Sequence, residues 1–129
     1  MFLLDTNICI DFIDGRNAIS RERVRENYPR GLSISSITAA ELLVGSSESE
    51  DRRGDEEKVE RFLTVVELLD FDMGAAQSYA ELAQRIGIKR SSFDRLIAAH
   101  ALSCGLILVT NNIKDFADVP GLRVENWTV

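Results

Sequence analysis

The sequence predicts an α/β fold, a three-layer α/β/α sandwich whose central parallel sheet has four to five strands. Short apolar runs bounded by turn residues alternate with longer segments of helical period, the pattern of βα units. The clearest run, Leu106-Ile107-Leu108-Val109, is apolar at every position, as strands covered on both faces are. At 129 residues, with no repeat, linker or low-complexity stretch, the chain has the size of one domain, read as residues 1–129.

Phe2-Leu3-Leu4 reads as a buried strand. Ile8, Ile10, Phe12 and Ile13 then suit a short helix. Residues 16–30 are polar and rich in arginine, ending in the turn signal Tyr28-Pro29-Arg30-Gly31. Leu32-Ser33-Ile34 is a second strand. A helix is expected from Thr38, carrying Ala39, Ala40, Leu42, Leu43 and Val44 and stopping at Gly45. Ser46 to Asp55 has no apolar anchor and reads as a surface loop or frayed helix end.

Val59, Phe62 and Leu63 put an apolar stripe on the next helix, and residues 65–69 read as a third strand. Ala75, Ala76, Tyr79, Leu82, Ala83 and Ile86 mark an amphipathic helix closed by Gly87. Phe93 to Leu102 is apolar almost all round, a buried central helix. Leu106–Val109 is the fourth strand, and Leu122-Arg123-Val124 supplies a short last one.

Composition narrows the function. The net charge of −6 argues against binding nucleic acid through bulk positive charge, so any such role rests on a local basic patch, a metal, or both. Cys9 and Cys104 sit in apolar stretches without metal or redox spacing, which suits a reducing cytoplasm. No apolar run approaches a membrane span of about 20 residues. Met1-Phe2-Leu3-Leu4-Asp5 lacks the basic start of a secretory signal.

Four acids stand at the ends of strands or the starts of helices. Asp5 follows the first strand, Glu41 falls in the first turn of its expected helix, Asp94 opens the buried helix, and Asp115 lies just past the fourth strand. In open α/β sheets, ligands bind outside the carboxyl ends of the strands. Each acid taken singly also fits a helix cap: Thr38-Ala39-Ala40-Glu41 has the capping-box pattern, and Asp5 is placed to cap the first helix. Converging acids need a cation, because two like charges about 4 Å apart repel by roughly 4 kcal/mol at an effective dielectric of about 20. Oxygen donors favour Mg²⁺ or Mn²⁺. Zinc is disfavoured, since His100 is the single histidine and reads as a core or surface residue. Thr6, Asn7, Thr110, Asn111 and Asn112 flank the acids and would orient water or a carboxylate, or serve turns.

Leu3-Leu4-Asp5-Thr6-Asn7, Ala40-Glu41-Leu42, Asp94 to Leu102 and Leu108 to Phe116 resemble the four motifs of PIN-domain ribonucleases, the VapC toxins in particular. The likeness runs from Phe2 to about Trp127. It implies a homodimer and one or two Mg²⁺ or Mn²⁺ ions in an acidic pocket. Asp5, Glu41, Asp94 and Asp115 would be the metal-binding catalytic acids, Thr110 the hydroxyl near the metal, and Asn7 a polar neighbour of the first acid. The implied reaction is metal-assisted hydrolysis of RNA, with no histidine base. The implied partner is an antitoxin whose C-terminal segment wraps the toxin and blocks the pocket, giving a hetero-oligomer.

For holding RNA, Lys89, Arg90, Arg95 and Lys114 lie beside the acids in sequence, with Arg95 also able to pair with a nearby acid. Arg16, Arg21, Arg23, Arg25 and Arg30 either track phosphates or form a solvated helix face with ion pairs. Two rival readings stay open. One is a phosphotransfer domain with Asp5 as acceptor, although Asn7 stands where such folds place a second acid. The other is a catalytically silent scaffold that binds RNA or protein.

Overall fold

The computed structural model describes all 129 residues. Five parallel strands form one sheet: β1 (Phe2–Leu4), β2 (Leu32–Ser35), β3 (Glu67–Leu69), β4 (Ile107–Thr110) and β5 (Val124–Asn126), in the order β3-β2-β1-β4-β5. Six helices cover it: α1 (Thr6–Asp14), α2 (Ala18–Asn27), α3 (Ser36–Ser47), α4 (Arg52–Val65), α5 (Met73–Ile86) and α6 (Asp94–Cys104). No helix is long and apolar enough to cross a membrane.

The pleat sorts the core into two layers. Phe2 and Leu4 of β1, Leu32 and Ile34 of β2 and Val109 of β4 face one side, where they meet Ile8 and Cys9, Val24, Leu42, Val59 and Phe62 from the first four helices. Leu3 and Leu108 point the other way, onto Leu82 of α5 and Ile97, Ala98 and Ala101 of α6. Trp127 closes the first layer, fully buried and edge-on to Phe2 at 5.0 Å between ring centroids. The predicted sandwich with its four to five parallel strands is therefore the observed one.

Boundaries differ where side chains decide them. α3 begins at Ser36, not Thr38, because Ser35 at the end of β2 accepts the Ile37 amide and caps it. Thr38 is thus inside the helix and Glu41 in its second turn, so the capping-box reading fails. α3 also runs through Gly45 to Ser47, and α4 starts at Arg52 behind its cap Asp51, leaving only residues 48–51 of the expected loop. The third strand loses residues 65 and 66 to the end of α4 and its exit. The last strand starts at Val124, later than expected, where Leu108 pairs with Val124 and Thr110 with Asn126. The buried helix runs to Cys104 and ends on Gly105 at φ +65°.

The arginine-rich stretch is helix α2, capped by Asn17. It forms none of the ion pairs along its own face that its sequence suggests. Arg21 lies over the Phe12 ring at 5.5 Å and Arg30 over Phe2 at 5.0 Å, while Arg16 pairs with Asp14 at 3.0 Å.

Candidate metal centre

In the strand order 3-2-1-4-5 the direction of winding reverses between β1 and β4, and the crevice beyond their carboxyl ends is where such folds bind ligands. Asp5 is the first residue past β1 and Thr110 the last of β4. The Asp5 amide bonds the Val109 carbonyl at 2.9 Å, which fixes the residue at that junction.

Asp5 is both a cap and a site residue. Its Oδ1 accepts the Ile8 amide at 2.9 Å and so caps α1, while its Oδ2 accepts from the Thr110 hydroxyl at 2.5 Å. The side chain is buried, and burial is the main reason its carboxyl is raised to about 6. The two donors oppose that shift, and the charges of Asp94 and Asp11 add to it.

A relay of hydrogen bonds links Asp5 to Asp115. The Asn112 amide donates to Thr110 Oγ1 at 3.0 Å, and the Asn112 side chain donates to Asp115 Oδ2 at 3.0 Å. Asp115 sits in a single 3-10 turn, Ile113–Phe116, and its charge acts on Asp94. Asp94 is the first residue of α6, with its amide bonded to Ser92 Oγ at 3.0 Å. Partial burial, then Asp115, raise its carboxyl; the Ser92 bond and Lys89 lower it. Asp94 thus lies in electrostatic reach of both Asp5 and Asp115.

Glu41 joins from α3. It accepts from the Thr6 hydroxyl at 2.7 Å, and the Thr38 hydroxyl lies 3.2 Å from Thr6. Cys9 lies buried beneath this pair. Its thiol is pushed well up by burial first and then by the charges of Asp5 and Glu41. A cleft of about 180 Å³ lined by Ile10, Ile13, Leu42 and Val59 runs up to Glu41 between α1, α3 and α4.

Asp11, an acid at neither a strand end nor a helix start, belongs to the same neighbourhood. It faces Asp5 and accepts from the Asn111 side chain at 2.8 Å. It is the single acid inside the run Ile8–Ile13, and that position was the available signal.

Arg95 requires a correction. It is 7% exposed, paired with Asp118 at 2.7 Å and donating to the Ile86 and Gly87 carbonyls, so it has no reach to RNA. Lys89, Arg90 and Lys114 are exposed. Asn7 is exposed as well and bonds no other side chain. His100 is a core residue, its Nδ1 2.8 Å from Ser35 Oγ and its ring edge-on to Phe71.

The donor set is entirely oxygen, and like charges add to burial at Asp5 and Asp94, a load that a hard divalent ion would offset. No three of the chain's acids, histidines or cysteines close into a cage around one point.

The family model for the PIN domain matches residues 2–122. The tRNA(fMet)-specific endonuclease VapC of Shigella flexneri is 43% identical, with 98% of each chain covered. Ribonuclease VapC2 of Rickettsia felis is 36% identical over 98% of each. Among solved structures, VapBC2 from Rickettsia felis bound to a promoter DNA fragment superposes with a TM-score of 0.88 at 35% identity, covering 98% of both chains. DNA-bound VapBC from Salmonella typhimurium gives 0.86 at 42% identity, covering 98% of this chain and 97% of that one.

Proposed function

The chain belongs to the PIN-domain family, and from that membership we propose that it is a VapC-type toxin, an endoribonuclease held inactive by a cognate antitoxin. Its reaction is hydrolysis of RNA phosphodiesters. Residues 1–129 act as one PIN domain in the cytoplasm.

The observation that carries the reading is the relay Asp5–Thr110–Asn112–Asp115 at the carboxyl ends of β1 and β4, with Asp94 near enough to act on Asp5 and to feel the charge of Asp115. Asp5, Asp94, Asp115 and Glu41 are the residues that would hold Mg²⁺ or Mn²⁺. When bound, the ion supplies an activated water and neutralises charge on the phosphate. Thr110 holds Asp5 in its charged form by donating to it, against the burial that favours protonation. Thr6 fixes the Glu41 carboxylate, and Asn112 that of Asp115. Lys89 and Arg90, on the loop before α6, and Lys114, beside Asp115, meet the phosphates on either side of the cut.

The antitoxin reading is supported by relatives solved as VapBC pairs and by the apolar cleft beside Glu41, which would take a side chain of an inhibitor segment. A homodimer belongs to the same reading. Leu68 on the edge strand β3 and Met73 at the start of α5 are 50% and 71% exposed, apolar surface that a second copy would cover.

The test is cleavage of a total-RNA pool by the purified, antitoxin-free chain with Mg²⁺, Mn²⁺ or EDTA, beside an Asp94→Asn control. Discrete metal-dependent fragments that vanish in the control are expected. A folded, metal-loaded protein that cuts no RNA, tRNA included, overturns the nuclease reading in favour of a binding scaffold.

A further inference from the structure

Arg95 is the next residue after Asp94, and its guanidinium is almost wholly buried. Nη2 meets Asp118 Oδ2 at 2.7 Å, and Nη1 donates to the carbonyls of Ile86, at 2.7 Å, and Gly87. Gly87 ends α5 at φ +82°, a backbone geometry that turns its carbonyl toward the guanidinium and that side-chain-bearing residues rarely adopt. Nε has no partner.

Asp118 follows the 3-10 turn that carries Asp115. The two are joined through a stiff segment: the Ala117 amide bonds Lys114 O at 3.4 Å, the Val119 amide bonds Phe116 O at 3.2 Å, and Phe116 and Val119 are both buried. The pair Arg95–Asp118 therefore links the segments bearing Asp94 and Asp115, one residue from the first acid and three from the second. Those two carboxylates repel each other. An ion pair with one partner half exposed contributes little to stability, and this one leaves the buried Arg95 Nε unsatisfied besides. Its place between two like-charged ligands gives it a different use.

We propose that Arg95 and Asp118 are positioning residues, a brace that holds Asp94 and Asp115 close enough to share a divalent ion. This rests on the metal-assisted reading above. The brace also explains why arginine stands here: three acceptors on two segments match a planar fork and not an ammonium. Through Ile86 and Gly87, the same guanidinium anchors the start of the loop whose Lys89 acts on Asp94.

The experiment is Mn²⁺ binding to the full chain, followed by the electron paramagnetic resonance of the free ion, with RNA cleavage measured in parallel. Asp118 is half exposed, so Asp118→Ala folds and leaves the carbonyl bonds of Arg95 in place. It is expected to weaken Mn²⁺ binding by about 10-fold, the lower end of what loss of an outer-shell partner costs. kcat falls in step, while KM for RNA stays within about twofold. Asp118→Glu recovers most of the loss, and Arg95→Lys does not. The deficit persists at about 0.5 M salt, where a mere change of nearby charge is screened. Mn²⁺ affinity in Asp118→Ala within about twofold of the parent, or a deficit that vanishes with salt, overturns the brace. A parent chain that binds Mn²⁺ yet cuts no RNA defeats the nuclease reading alone; one that takes up no Mn²⁺ defeats both.

Discussion

The Thr110 hydroxyl donates to Asp5 Oδ2 at 2.5 Å across the switch point of the sheet, joining the last residue of β4 to the first residue after β1. Both side chains are buried, so the bond is formed where water offers little competition. It stabilises the carboxylate at the point where burial works hardest against it. Thr110 in turn accepts from the Asn112 amide, which orients the hydroxyl proton toward Asp5.

Replacing Thr110 by Val keeps the shape and removes the donor. Asp5 then loses the largest influence that lowers its carboxyl, which moves above its value of about 6. The acid limb of the pH–rate profile shifts to higher pH, and cleavage near neutrality drops about 10-fold, as for loss of an outer-shell partner. Thr110→Ser retains the limb. An unmoved limb in Thr110→Val would deny the hydroxyl its part in setting Asp5.

Asp5 also makes stability depend on pH in a definite direction. Its carboxyl lies at about 6 in the folded chain against 3.8 as its ordinary value. Between those values the folded chain holds a proton that the unfolded chain has released, so stability falls as pH rises through the window and levels off above it. A shift of about two pH units corresponds to a loss of about 3 kcal/mol. Asp5→Asn keeps the cap on α1 and cannot ionise. Without divalent ions it is expected to be more stable than the parent at pH 8 and to match it near pH 4, by urea unfolding. Parallel curves would mean that Asp5 carries no such burden.

A divalent ion would offset the cost that burial and neighbouring charge place on the Asp5 carboxylate. At pH 8, Mn²⁺ at about 100 times its Kd raises the parent's stability by about 2.7 kcal/mol. Asp94→Asn removes a ligand, so it folds, shows little stabilisation by Mn²⁺, and loses more than about 100-fold in cleavage, beyond the usual cost of an outer-shell change. Thermal melts with and without Mn²⁺ check the first part. Equal stabilisation of parent and variant would exclude Asp94 from the ligand set.

The layers and the strands were legible because periodicity is a local signal, and strand ends are what single out the four acids as candidates. Asp5 and Asp115 could be placed on one sheet edge from order alone. Arg95 could not be placed, since its partners Ile86, Gly87 and Asp118 are brought to it by the packing of α5 on α6 and by the turn after β4. Ser35 displaced Thr38 as the cap of α3 for a related reason. A strand that ends in serine already supplies the cap, and a pattern that begins at Thr38 does not see it. Asp11 was missed because an acid inside an apolar run reads as the wet side of a helix until Asn111 arrives from β4's end.

Lys89 and Arg90 bear on binding more than on chemistry. Both are exposed, and Lys89 is near enough to Asp94 to oppose the rise of its carboxyl. Each contact to a single-stranded phosphate contributes about 0.7 to the slope of log affinity against log salt. Lys89→Ala and Arg90→Ala are therefore each expected to lower that slope by about 0.7 and to raise KM several-fold at low salt, with kcat little changed. The loss shrinks as salt rises, because the missing charge is then screened in the parent too. Binding of a non-cleaved RNA to Asp94→Asn, measured from low to moderate salt with and without each change, isolates the effect from turnover. A slope identical in the parent and both variants would place the phosphates elsewhere, with Lys114 the next residue to test.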